Sequence, residues 1–394
     1  MTSTTFALGS LVEAVAARVP GDRPAVVCDG VVTRWDELID RARRFAGVLA
    51  AAGIGARERR ADDLDSGHDH VGLMLDNGAA FLECSIGASL AGATAVSINT
   101  RYSPIEVAAL VDALDVRVLV HSERLSGIVA GAVATAPAPP LRLAVPTGYD
   151  AALASARPSA PGDVHDPRSD DRVVICTGGT TGVPKGVLWR SDDFFVAGLR
   201  GFEVLAPGMD AADAVAALVA GPAPRSLAPT PLVHFAAQAV ALQALVRGGT
   251  VLLLPTDRGF DGHAFVDLAA RWEATDGLVI GDVTCQPIVR ALSAAGARLP
   301  ALRGLMAGST LLSVATKERL LALLPDVEIR DSMGSSETGM QAVAVANRDG
   351  IESAFSLLPG NVVLDADGRE LPGAGVGILA RLAHRSLGYS RDPA

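Results

Sequence analysis

Short continuous apolar runs alternate along this chain with stretches whose apolar residues recur every three or four positions. Between residues 35 and 52, Leu38, Ala42, Phe45, Leu49 and Ala52 are spaced alternately by four and three, and Gly53 stands where a helix end favours glycine. That spacing predicts a helix with one core-facing side. Just before it, PAVVCDGVVTRW sets Asp29-Gly30 between two apolar runs, which predicts a hairpin. VGLML (71–75), TAVSI (94–98) and VRVLV (116–120) read as buried strands, separated by a helix through FLECSIGASLAG and another capped by Ser103 ahead of Pro104. Such strands alternating with helices predict a parallel sheet covered on both faces.

Residues 131–171 turn to Ala, Pro, Gly and Asp, and read mainly as a connection around one strand, LRLAV. They divide a first αβ lobe (1–150) from a second (172–345). In the second, RVVICT, TVLLLP, GLVIGD, RGLMAG and VEIRDS alternate with helices past Ser191 and over 232–246, 263–271, 286–295 and 314–324, predicting a second doubly wound sheet. Residues 355–394 carry turn residues between short strands and no long helix, so a small β-rich piece is expected. The fold class is α/β.

Composition removes whole classes. With 394 residues, 49% hydrophobic and 20% charged, the chain is neither collagen-like, coiled-coil nor disordered. A net charge of −10 without long like-charge runs argues against a nucleic-acid partner. Cys28, Cys84, Cys176 and Cys285 fit neither a zinc spacing nor a CxxC motif and point to a reducing, cytoplasmic setting. The first twenty residues lack the basic start and apolar core of a signal peptide, and no long charge-free apolar stretch predicts a membrane span.

The chemistry concentrates in TGGTTGVPKG (177–186), directly after the strand RVVIC. Glycines let consecutive backbone N–H groups point inward, threonine hydroxyls add donors, and Lys185 supplies a full charge, a combination suited to polyphosphate. It is not a Walker A loop, because Pro184 precedes the lysine and GVLW reads as a strand. This segment resembles the phosphate-binding signature of the adenylate-forming superfamily, which contains acyl-CoA synthetases, luciferases and peptide-synthetase adenylation domains. PLVHFAAQ (231–238), VIGD (279–282), MAGSTLL (306–312), DSMGSSETG (331–339) and LGYSRDPA (387–394) follow in the superfamily's order, so the resemblance runs nearly end to end. The variants TGGTTG and GSSETG look closest to actinobacterial fatty-acyl or steroid-acid CoA ligases.

The resemblance implies the large N-terminal domain of that superfamily: two αβ lobes with mostly parallel doubly wound sheets, and a β-rich subdomain forming a distorted barrel. It implies ATP, Mg²⁺ and CoA, with Thr177, Gly178, Gly179, Thr180, Thr181, Gly182 and Lys185 on the phosphates. Glu337 would be the hard oxygen ligand for Mg²⁺ and Ser336 a donor to the α-phosphate. Asp331, Ser332, Met333, Gly334 and Ser335 would surround the nucleotide, Asp331 accepting from the adenine amine. Met333 departs from the pattern, which places an aromatic ring there to stack on adenine. Gly308, Ser309 and Thr310 resemble the turn beside adenine and the acyl group; a plain strand-to-helix turn with Ser309 or Thr310 as cap is the alternative. His234 resembles the residue that gates the carboxylate pocket, and Phe235, Gln238, Gly281, Asp282 and Thr284 would line the acyl tunnel, or else serve packing and capping.

The superfamily places a small C-terminal domain, with an adenylating lysine, beyond the last motif seen here, and the sequence is expected to lack it. The remaining lysine, Lys317, lies in VATKERLLALL, where a solvated helix face is expected. The expected activity is acyl-CoA ligation through an acyl-adenylate. The alternatives are a ligase using preformed acyl-adenylate, or a non-catalytic acyl- or nucleotide-binding subunit. Expected partners are a small carboxylic acid, the acyl-adenylate, CoA, the C-terminal domain and a second copy of the chain.

Overall fold

The computed structural model describes residues 6–58, 64–134, 136, 138–159, 162–177, 185–206, 209–371 and 375–390. Its strands are β1 (Pro24–Cys28), β2 (Val31–Arg34), β3 (His70–Met74), β4 (Thr94–Ser97), β5 (Val116–Ser122), β6 (Leu141–Val145), β7 (Arg172–Thr177), β8 (Lys185–Arg190), β9 (Arg225–Ala228) and β10 (Thr250–Leu253). They continue with β11 (Asp276–Val279), β12 (Gly304–Ala307), β13 (Glu328–Ser335), β14 (Gly339–Asn347), β15 (Gly350–Ile351), β16 (Ser356–Leu357), β17 (Asn361–Leu364), β18 (Ile378–Arg381) and β19 (Gly388–Tyr389).

Two sheets carry the α/β architecture. The smaller is wholly parallel, in the order β4-β3-β5-β6. The larger runs β15-β14-β13-β12-β11-β9-β10-β1-β2, with β16 added on β14, and is parallel from β13 to β1 with antiparallel edges. Period-two alternation serves both of its faces. Val251 and Leu253 pack into the core shared with helix Phe235–Val246, whereas Leu252 joins Leu227, Val279, Leu305 and Ile329 under helices Gly262–Arg271, Gly281–Ala295 and Val314–Leu323. The helix predicted after Ser103 forms as Pro104–Ala113 with a complete capping box: Ser103 accepts from the Glu106 N–H, and the Glu106 carboxylate accepts from the Ser103 N–H at 2.7 Å.

The strand pairing departs from the sequence-based division in several places. The β1–β2 hairpin belongs to the large sheet, through parallel pairing of β1 with β10, and not to the first lobe. RVVICT does not open the second wound sheet; β7 pairs antiparallel with β8, and β19 adds to β8 to make a separate three-stranded sheet. Apolar runs report burial but not which neighbour a strand takes, so the Asp29-Gly30 hairpin and the strands RVVICT and GVLW are legible locally and misplaced globally. The expected barrel does not close among the described residues, where β17 and β18 form a two-stranded ribbon. Helix Thr147–Ser155 forms at the middle of the stretch read as a connection, and helix Ala211–Val219 forms where the sequence pattern predicts no element. Among the described residues, no helix is long and apolar enough to cross a membrane.

Candidate functional site

A cleft of about 1260 Å³ lies between helix Phe235–Val246 and the strands β9, β11, β12 and β13. Its width has a sequence cause. The helix presents Ala236, Ala239 and Ala244 to it, and the strands present Gly277 and Gly304, where larger side chains would fill the space. At the carboxyl ends of the strands the cleft is lined by Thr177, Gly308, Ser309, Ser332, Met333, Gly334, Ser335 and Ser336, with His234 and Phe235 facing them and Thr284 at the margin. Sequence motifs far apart in the chain therefore converge on one wall.

The phosphate-loop hairpin is visible at its two ends. Thr177 closes β7 and Lys185 opens β8 as a cross-strand pair, with the Thr177 hydroxyl donating to the Lys185 carbonyl at 3.4 Å. Gly178, Gly179, Thr180, Thr181 and Gly182 lie outside the described residues. The Lys185 ammonium sits over the Tyr389 ring, 4.9 Å from its centroid, and the Tyr389 hydroxyl donates to Glu337 Oε1 at 2.9 Å. Trp189 Nε1 donates to the Ser336 carbonyl at 2.9 Å, and Ser335 Oγ accepts from the Glu337 N–H at 3.2 Å. β19, β8 and the turn after β13 thus hold lysine and carboxylate around one tyrosine.

Gly308 and Ser332 touch across the wall. Ser332 Oγ donates to the Ala307 carbonyl at 2.6 Å, and a Cβ on Gly308 would lie 2.8 Å from that hydroxyl. Met333 is exposed to the cleft. His234 precedes helix Phe235–Val246, and its side chain caps none of the helix N–H groups, although its carbonyl accepts from the Gln238 N–H at 3.1 Å. Partial desolvation lowers its pKa, and Arg101 adds to the shift, although the residue as a whole is exposed. The loop before it is pinned from the other lobe: Asn77 Nδ2 donates to the Thr230 and Leu254 carbonyls, and Asn77 Oδ1 accepts from the Leu232 N–H at 2.8 Å.

Several predicted site residues do other work. The Asp331 carboxylate is buried, faces away from the cleft lining and pairs with Lys317 at 2.7 Å. Lys317 is therefore buried, not on a solvated face as the helix pattern suggested. Gln238 points to the opposite side of its helix and lines a small separate cavity with His68, Thr94, Asp171 and Arg172. Asp282 accepts from the N–H and hydroxyl of Ser313; desolvation pushes its pKa up, but these bonds outweigh it and the net shift is downward. Thr284 Oγ1 accepts from the Ile280 N–H at 2.7 Å. Gly281 has φ +46°, and a Cβ there would meet Thr310 Oγ1 at 2.2 Å, so its role in this structure is close approach to the turn bearing Ser309 and Thr310.

Asn77, Trp189 and Tyr389 were not singled out in the sequence. Each acts through a partner more than a hundred positions away, or in Tyr389's case about fifty, and no local pattern marks such a residue. Among the described residues no group of three or more His, Cys, Asp or Glu side chains could hold a metal alone. Glu337 is a single carboxylate beside the phosphate-loop hairpin, which fits a cation whose remaining ligands are phosphate and water oxygens, the coordination magnesium prefers.

The family described as AMP-binding enzyme matches residues 12–383. The chain is similar to the medium-chain acyl-CoA ligase Mig of Mycobacterium avium, 30% identical over all of this chain and 74% of that protein. It is also 30% identical to the 3-oxocholest-4-en-26-oate–CoA ligase of Rhodococcus rhodochrous, over 98% of this chain and 71% of that one. In fold it resembles the N-terminal domain of FACL13 from Mycobacterium tuberculosis, with a TM-score of 0.80 at 20% identity, covering 99% of this chain and 92% of that domain.

Proposed function

Since the chain belongs to the AMP-binding enzyme family, and is an acyl-CoA ligase of the AMP-forming type that uses ATP and CoA, we propose that its cleft activates an aliphatic or polycyclic carboxylic acid. The observation that carries this reading is the single cleft joining the Ser332–Ser336 wall to the channel behind His234. A substrate carboxylate oxygen attacks the α-phosphorus of ATP, the bond to the β-phosphate oxygen breaks, and pyrophosphate leaves. The CoA thiolate then attacks the acyl carbon of the adenylate, and AMP departs with the carboxylate oxygen.

In this reading Lys185, Thr177 and the loop after it bear on the β- and γ-phosphates, and Ser336 donates to the α-phosphate. His234, neutral near pH 7 because its pKa is lowered, orients the acid by a hydrogen bond without competing as a cation. Glu337 would hold Mg²⁺, which when bound would neutralise phosphate charge. Tyr389 fixes one oxygen of Glu337 by donating to it at 2.9 Å. Catalysis by such a site is positioning and charge stabilisation. Use of preformed acyl-adenylate, or a purely binding role, is not favoured, because the relatives are named as acid–CoA ligases.

The test is acid-dependent pyrophosphate exchange and thioester formation across a panel of carboxylic acids, with calorimetric ATP binding alongside. Lys185→Ala and Glu337→Gln are each expected to lower adenylation about 10²–10³-fold. Failure to bind ATP and to exchange pyrophosphate with any acid would end the proposal.

A further inference from the structure

Asn77 is not among the residues that line the cleft. It follows β3 of the four-stranded sheet, yet its carboxamide bonds to the large sheet. Asn77 Nδ2 donates to the Thr230 carbonyl at 3.1 Å and to the Leu254 carbonyl at 3.0 Å, and Oδ1 accepts from the Leu232 N–H at 2.8 Å. Its backbone N–H donates to Thr256 Oγ1 at 3.1 Å, and its carbonyl accepts from the Cys28 thiol at 3.4 Å. Cys28, Leu254 and Thr230 stand at or just past the carboxyl ends of β1, β10 and β9, which are neighbours in the large sheet. One residue of the first lobe therefore clasps three strand ends of the other sheet. It is itself held on its own side: the Asp76 N–H donates to Ser122 Oγ at 2.9 Å, and the Asp76 carboxylate accepts from Arg124 Nε at 2.8 Å.

Two donors set against two carbonyls, with one acceptor set against an N–H, is a match that a carboxamide makes and a carboxylate or hydroxyl cannot. The reason it is needed lies in APTPLVHF (228–235). Pro229 and Pro231 carry no N–H, so the ladder between β9 and β10, which ends at Ala228 and Leu253, cannot be extended by their donors. Asn77 supplies donors to the carbonyls of both diverging strands. Beyond Pro231, the first backbone donor is the Leu232 N–H, and Asn77 takes that as well. Pro231 is thus held through both of its neighbours, and its own carbonyl accepts from the His234 N–H at 3.0 Å. Thr230, Pro231, His234 and Phe235 all line the cleft, so the amide that fixes this turn also fixes where the imidazole stands.

We infer that Asn77 is a positioning residue for the acid end of the cleft, acting from the first lobe through the Thr230–Leu232 turn on His234. The inference rests on the reading of His234 as the group that orients the acid. A displaced His234 misaligns the carboxylate with the α-phosphorus, whereas no bond of Asn77 reaches Lys185, whose hairpin belongs to the separate three-stranded sheet.

The experiment measures acid-dependent pyrophosphate exchange with the fastest acid of the panel above, reading KM for acid and for ATP separately, with melting temperatures alongside. Asn77→Ala and Asn77→Asp are expected to raise KM for the acid about 10- to 100-fold and to move KM for ATP less than about twofold. Asn77→Asp keeps the side chain's shape and the acceptor for Leu232, and carries the test should Asn77→Ala not fold. Thr256→Val removes a bond of the same clasp that does not reach the turn, and should lower stability while leaving KM for the acid unchanged. In His234→Ala, which alone raises KM for the acid, adding either Asn77 substitution should change it less than about twofold further. Equal rises in both KM values, a rise that tracks the loss of stability across all three variants, or full additivity with His234→Ala would overturn the positioning role and leave that of His234 standing. An unchanged KM for the acid in His234→Ala would instead remove the reading of His234 on which the inference rests.

Discussion

Lys317→Met should destabilise the protein more than any surface substitution of comparable size. Lys317 Nζ and Asp331 Oδ2 are 2.7 Å apart, with both side chains about a tenth exposed. At an effective dielectric of about 20, that separation corresponds to an attraction of about 6 kcal/mol, much of which desolvation of the two groups cancels. Removing the lysine does not return the aspartate to water, because Asp331 is fixed in β13, paired with β12 on one side and β14 on the other. The expected cost is the one associated with stranding a buried charge, about 3–5 kcal/mol. If the 394 residues melt as one unit, this lowers the melting temperature by about 4–6 °C. The assay is calorimetric melting of wild type, Lys317→Met, Asp331→Asn and the double variant, which gives the coupling directly. The double variant should be less damaged than the sum of the singles by at least about 2 kcal/mol. Melting of Lys317→Met within about 1 °C of wild type, or purely additive singles, would refute the assignment of Asp331 as the partner of a buried cation. ATP affinity measured on Asp331→Asn separates that structural role from contact with adenine: the ion-pair reading expects stability to fall further than affinity.

Tyr389→Phe keeps the ring under Lys185 but deletes the hydroxyl that holds Glu337, so adenylation should fall about tenfold and half-maximal activity should require more Mg²⁺; an unchanged Mg²⁺ dependence would remove Tyr389 as a positioning residue. Gly281→Ala forces a Cβ to within 2.2 Å of Thr310 Oγ1 at a positive φ, with an expected cost of about 1–3 kcal/mol and a raised KM for the acid, checked by melting and by steady-state kinetics. Burial, with Asp193 and Asp171 adding to it against the Phe6 N–H bond, raises the Asp192 pKa to about 6. A raised carboxyl pKa disfavours the ionised form in the fold, so its stability cost is absent below about pH 4 and complete above about pH 6. Asp192→Asn should therefore stabilise the protein by about 1 kcal/mol at pH 7, after discounting for partial exposure, with the gain vanishing toward pH 4; a gain independent of pH would refute it.

Local chemistry was read well from the chain because its causes are local. The Asp29-Gly30 hairpin, the Ser103 cap and the apolar strands of both parallel sheets all follow from spacing within a dozen residues. Collinear motifs also brought Thr177, His234, Gly308 and Ser332 to Ser336 onto one cleft. What failed was partnership. Nothing in RVVICT says that it will pair with GVLWR, which in turn takes Gly388–Tyr389, instead of with β9, since buried strands of either sheet carry the same composition. Lys317 was misjudged for the same reason: a helix pattern shows which face a lysine occupies, whereas its burial depends on Asp331 arriving from the neighbouring strand. Gln238 and Asp282 fall near the cleft in sequence, yet a rotation of one helix position or a capping bond decides whether a side chain faces it.

The cleft's orientation along the parallel strands separates chemistry from selection. Ligands in open α/β sheets gather outside the carboxyl ends of the strands, and here those ends deliver Ser309, Ser332 and Ser336 beside the phosphate hairpin. Because the cleft continues between helix and sheet, the amino ends of the same strands, at Asp276, Gly304 and Glu328, form its other extremity. A residue at one end is four to eight positions along a strand from the other, or about 13–26 Å at about 3.3 Å per residue, beyond direct contact with the reacting phosphorus. Substitutions along the channel should then change which acid is chosen, and those at Lys185 and Glu337 should slow every acid alike. That division follows from helix Phe235–Val246 presenting alanines along one face, so the breadth of acids accepted should respond to Ala239→Leu or Ala244→Leu, which narrow the channel between the two ends without touching either.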